Sequence, residues 1–89
     1  MARTHDLSTT SDGNSFDEAL SLHQAGRIAE AEPIYGRILQ QQPDHPGALH
    51  LLGVIHQQRG DHATALELIG RAISINPNKA VYHNNYGAA

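Results

Sequence analysis

The sequence predicts an all-α chain built as a stack of helical hairpins, and three observations predict it. Apolar residues recur at helical spacing between punctuating Gly and Pro residues, as in Ile28, Ala31, Ile34, Tyr35, Ile38 and Leu39. No segment alternates with a period of two for long enough to suggest a strand. The pattern also repeats. Gly26 and Gly60, Ala31 and Ala65, and Pro43 and Pro77 are each 34 residues apart, and Ala29/Ala63, Gly36/Gly70, Arg37/Arg71 and Gly53/Gly87 keep the same offset. A period of that length carrying two helices marks an array in which each unit buries its apolar face against the next.

The elements follow in order. Residues 1–14 are polar and small, with Leu7 the only large aliphatic after Met1, and are expected to form a disordered leader. Order is expected from Ser15, where Ser15-Phe16-Asp17-Glu18 has the form of a capping box and its acidic residues suit the positive end of the helix dipole. The first helix should run to about Ala25 and stop at Gly26. A second is expected over Ile28–Gln41, closed by Pro43 and Pro46. Pro33 lies inside it, so this helix either starts late or is kinked there. The third spans about Pro46–Arg59, with Pro46 suited to a first turn and Gly60 ending it. Asp61 is the expected N-cap of a fourth helix, about His62–Asn76, which Pro77 ends. Asn78 is expected to cap a fifth from Ala80 onward. Gly53 and Ala65 fall where the two helices of one hairpin cross, and a larger side chain at either would push the backbones apart.

At 89 residues, the chain is one small domain or part of one. Its net charge of −3 supplies no basic field for nucleic acid or an anionic membrane surface, so neither partner is expected. With no cysteine there is no disulfide framework, thiolate nucleophile or Cys-based zinc site. The N-terminus lacks the apolar stretch of a signal peptide, and no run approaches ~18 apolar residues. A cytoplasmic location is the expectation.

Residues 46–79 resemble a full tetratricopeptide repeat. Leu49, Leu52 and Gly53 stand where that family has Trp-Leu-Gly, while Ala65, Ile69, Ala72 and Pro77 fill its Ala, aromatic, Ala and Pro slots. His56 replaces the usual tyrosine. Residues 12–45 resemble a degenerate repeat whose second helix matches through Ala31, Tyr35 and Pro43, with Ser15 and Glu18 at slots normally apolar. Residues 80–89 resemble the first half of a third repeat, with Tyr86-Gly87 in place of Leu-Gly. The resemblance covers residues 15–89 and implies a right-handed solenoid of about two and a half repeats, five helices in all. It implies a protein-interaction module and no enzyme. The wording of Ala31-Glu32-Pro33-Ile34-Tyr35, Pro43-Asp44-His45-Pro46 and His83-Asn84-Asn85-Tyr86-Gly87 also resembles bacterial tetratricopeptide regions that precede glycosyltransferase or sulfotransferase domains. A substrate-recruiting arm of such a transferase is the alternative.

In this family the first helix of each pair lines a concave groove. The resemblance implies a protein or peptide partner held by Phe16, Leu20 and His23, by His50, Val54 and Gln57, and by Val81, Asn84 and Asn85. The first two sets keep i, i+4, i+7 spacing on one helix face. Leu20 and Val54 read equally well as core. A groove that clamps a terminal carboxylate needs Lys or Arg on this face, which has none. Long relatives that glycosylate proteins carry an asparagine ladder; Asn85 matches that slot, but Leu51 and Asp17 stand at the equivalent sites.

Three other signals bear on function. Seven histidines raise a His-rich metal-binding domain as a weaker alternative, yet His45, His50, His56 and His62 fall at steps of five and six, off any single helix face. No metal or cofactor is expected. No nucleophile elbow, phosphate loop or paired-carboxylate motif accompanies the Ser, His and acidic residues. Finally, Val81, Tyr82 and Tyr86 make the C-terminal helix either a solvating cap or an open apolar end, and the latter would let the chain self-associate through residues 63–89.

Overall fold

The computed structural model describes residues 12–88. They form five α-helices: α1 (Asp12–Gln24), α2 (Ile28–Gln41), α3 (Pro46–Gln58), α4 (His62–Ile75) and α5 (Ala80–Ala88). Residues 1–11, most of the expected leader, lie outside the described residues. No strand occurs among the described residues, and the molecule is elongated, 46 Å long against 25 and 19 Å. It is an all-α solenoid of consecutive helical hairpins.

The turns after α1 and α3 have the same construction. Gly26 and Gly60 take φ of 83° and 86°, the left-handed region that a Cβ disfavours. Around them the Arg27 N–H donates to the Leu22 carbonyl (2.8 Å) and the Gly26 N–H to His23 (3.0 Å). One period later the Asp61 N–H donates to His56 (2.9 Å) and the Gly60 N–H to Gln57 (3.0 Å). This paired pattern is the Schellman motif, which satisfies carbonyls left open at a helix C-terminus. Asp61 then caps α4 as expected, its Oδ1 accepting from the Thr64 N–H at 3.3 Å.

One helix start and one cap differ from those the sequence predicts, while Pro33 does not shift the start of α2. Helix α1 begins at Asp12, so residues 12–14 are helical and Ser15 sits within the first turn instead of capping it. Residues 12–15 are Asp, Gly, Asn and Ser, all types that favour a helix start, so local chemistry alone leaves several starts open. Helix α5 is preceded by Lys79, whose carbonyl accepts from the Tyr82 N–H at 3.1 Å, which leaves Asn78 one residue too early to be its cap. Helix α2 runs unbroken through Pro33 from Ile28, which removes the late start. Both Pro33 and Ala29 are exposed, so water can serve the carbonyl that the proline leaves without a donor.

Two apolar clusters hold the stack together. The first joins Ala19 of α1, Ala31, Ile34, Tyr35 and Ile38 of α2, and Ala48 and Ile55 of α3. The second joins Leu49 of α3, Ile69 and Ala72 of α4, and Tyr82 of α5. Helix α3 serves both because Ala48 and Leu49 are adjacent residues on different faces. Gly53 and Ala65 meet as expected: a Cβ on Gly53 would lie 2.6 Å from the Ile69 Cγ1 and 3.3 Å from the Ala65 carbonyl oxygen. At the surface, the guanidinium of Arg59, the C-cap of α3, spans both carboxylate oxygens of Glu32 on α2 at 2.6 and 3.0 Å.

Candidate functional site

The residues expected to line the groove divide into three kinds once the helices are in place. Phe16 joins the first core. Its ring lies 6.1 Å from Tyr35 and 5.0 Å from His45, over Gly47, where a Cβ would meet Phe16 Cζ at 2.7 Å. His45 itself caps α3, with Nδ1 accepting from the Ala48 N–H at 3.1 Å. The sequence starts that helix at Pro46 without marking a cap, because His is not among the residues favoured in that role.

Leu20, Val54 and Gln57 are half-buried, and neither apolar cluster includes Leu20 or Val54. Val81 and Asn84 are exposed. These residues, contributed by α1, α3 and α5, remain available at the surface.

The third kind is committed to partners inside the protein. His23 Nδ1 lies 3.2 Å from the Tyr35 hydroxyl, tying α1 to α2. Burial pushes the Tyr35 hydroxyl up to about 12 and lowers the His23 imidazole below its usual value. His50 is 6 % exposed, and its Nε2 accepts from the Asn85 amide nitrogen at 2.6 Å. With the Asn85 amide nitrogen turned to the ring, that bond calls for the neutral tautomer whose proton is on Nδ1. The His50 ring also lies 4.6 Å from the ring of Tyr82, which is itself buried. Burial is the main cause that lowers the His50 pKa, with the positive charges of His23 and Lys79 adding to it.

The structure thus brings His50 and Asn85 together, two of the predicted residues, and adds Tyr82. Sequence spacing carried a signal for Tyr82: it stands one period after Ala48, so an aromatic replaces the small buried residue of the preceding unit. Elsewhere His56 Nδ1 lies 3.2 Å from Asp61 Oδ2, linking the end of α3 to the cap of α4. Among the described residues no three His, Cys, Asp or Glu side chains gather to hold a metal ion. Among the same residues no helix is long and apolar enough to cross a membrane.

Comparisons with known proteins bear on the fold that carries these residues. A family model described as a tetratricopeptide repeat matches residues 22–85. Among solved structures the chain is similar to a mutant O-GlcNAc transferase of Thermobaculum terrenum, with 40 % identity and a TM-score of 0.73 over 89 % of this chain. The chain spans 16 % of the length of that enzyme. No curated protein matches.

Proposed function

Because the chain belongs to the tetratricopeptide repeat family, we propose that it is a protein-interaction module that takes up an extended peptide or a partner helix along α1, α3 and α5. The observation that carries this reading is the set of side chains neither core claims. Leu20 and Val54 offer apolar contact, Gln57 and Asn84 offer amides, and Val81 extends the row on α5. Amides and short aliphatics side by side suit a polypeptide backbone with small side chains, and the row carries no cation to demand a carboxylate. The module acts without chemistry of its own, in the cytoplasm.

A second reading is favoured by the likeness to the Thermobaculum terrenum O-GlcNAc transferase. Here the repeats are the recruiting arm of a larger transferase and present acceptor polypeptides to it. The exposed Ile75, Val81 and Tyr86 near the C-terminal end support a further element of the proposal, pairing with another chain. Sedimentation over a concentration series reads it, and a monomer mass constant up to about millimolar excludes it.

An array of unstructured 12-residue peptides probed with the purified chain tests the module, with hits measured by fluorescence anisotropy. Val54→Asp should weaken the best hits at least about tenfold, about 1.4 kcal/mol, while leaving the helical circular dichroism unchanged. Equal binding by that variant would remove the groove reading. Peptides accepted by the Thermobaculum terrenum enzyme should outcompete their scrambled versions only if the recruiting-arm reading holds.

A further inference from the structure

We propose that His50 is an acid-sensitive latch: protonating its imidazole releases α5 from α3 and removes the third wall of the groove face. The contact in question is local and polar. Asn85 donates from α5 to His50 Nε2 on α3 at 2.6 Å, and Tyr82 covers the ring at 4.6 Å. Helix α5 is nine residues long and packs mainly on α4, with Tyr82 also in the apolar cluster that includes Leu49 of α3, and the Asn85 bond is a polar tie from α5 to α3. A proton on Nε2 turns the acceptor into a donor and sets two N–H groups against each other at hydrogen-bond distance. Turning the Asn85 amide would bring its oxygen round to the imidazolium. The new charge would still be almost fully buried, and among the described residues the charged groups that act on it are His23 and Lys79, neither a carboxylate.

The groups facing His50 point the same way. His23 on α1 and Lys79 at the start of α5 both oppose a positive imidazole. Tyr82 and Asn85 of α5 are neutral. Helix α2 contributes Leu39, and helix α4 contributes Ile69 and Ala72, to the apolar cluster that holds Tyr82. Of the charged groups of α4, Glu67 is exposed, and Arg71 reaches away to the Pro43 carbonyl at 3.2 Å. Burial, the largest cause, holds the imidazole below its ordinary value together with the charges of His23 and Lys79. The docked helix therefore accepts the proton less readily than the released one. The contribution of the neutral ring to docking is fully present above the ordinary His value and is lost as pH falls below it, by at most about tenfold per pH unit.

The test is an NMR titration of the full chain between pH 7.5 and 5, reading the Cα shifts of residues 80–88 against those of α2 and α4. The expected result is that α5 shifts move toward coil values in acid while α2 and α4 keep helical values. The α5 midpoint should coincide with the His50 imidazole midpoint, read from its own ring resonances. His50→Gln should keep a neutral side chain at every pH and abolish the response, whereas His23→Gln should retain it. An α5 that stays helical through pH 5, or a midpoint that departs from that of His50, overturns the proposal. Both midpoints are read in the unsubstituted protein, so they decide the matter even if His50→Gln does not fold.

Discussion

Gly53 and Gly36 both sit inside helices, yet they face opposite demands. Gly53 lets α3 approach α4 so closely that Ile69 would occupy the place of its Cβ, whereas a Cβ on Gly36 would meet nothing within 4 Å. Gly53→Val should therefore lower stability by about 1–3 kcal/mol through overpacking. Gly36→Ala should raise it by about 0.5–1 kcal/mol, because alanine loses less backbone entropy on folding into a helix. Urea unfolding of both variants checks the pair, and equal effects would contradict the close approach. The two glycines look alike in sequence, each inside an apolar pattern and each repeated one period later. What distinguishes them is the neighbour across the hairpin, which at Gly53 the repeat pattern anticipated as the crossing with Ala65.

At the scale of the elements, the helix ends were the most legible feature. Gly60→Ala should cost about 1–2 kcal/mol because it forces a Cβ into the left-handed region, and a melting curve unchanged from that of the parent chain would refute the turn geometry. Gly26, Gly60, Asp61 and Pro46 all act where their chemistry placed them, and α2 keeps its expected range despite Pro33. The two expected caps that fail differ in cause: around Ser15 the residues 12–15 all favour a helix start, whereas before α5 the cap position falls on Lys79, a type that cap preferences do not mark. Partnerships between helices were harder to read. The bond between His50 and Asn85 crosses 35 residues, so no local pattern encodes it. Only the period places α5 beside α3, and the period says nothing about which polar atoms will meet. For the same reason Phe16 and His23, grouped by face spacing, gave no sign that Tyr35 would engage both.

For the molecule as a whole, His23 and His50 make folding acid-sensitive. Both imidazoles are lowered from the usual 6.5, chiefly by burial, so the unfolded chain binds more protons than the folded one in that range. Stability is then fully present above the usual value and declines as pH falls below it. Thermal melts should show a lower Tm at pH 5.5 than at 7.5, with His23→Gln recovering part of the difference; a flat profile would speak against neutral burial of either ring. A last consequence belongs to the matched turns at Gly26 and Gly60. Since each hairpin closes with the same pair of carbonyl bonds and hands its apolar face to the next helix, the molecule has a built-in ruler. Splicing in a second copy of residues 45–78 after Asn78 keeps every cap, crossing glycine and core register in phase. The chain should lengthen by one whole link, and its helical signal should grow in step, with no residue redesigned.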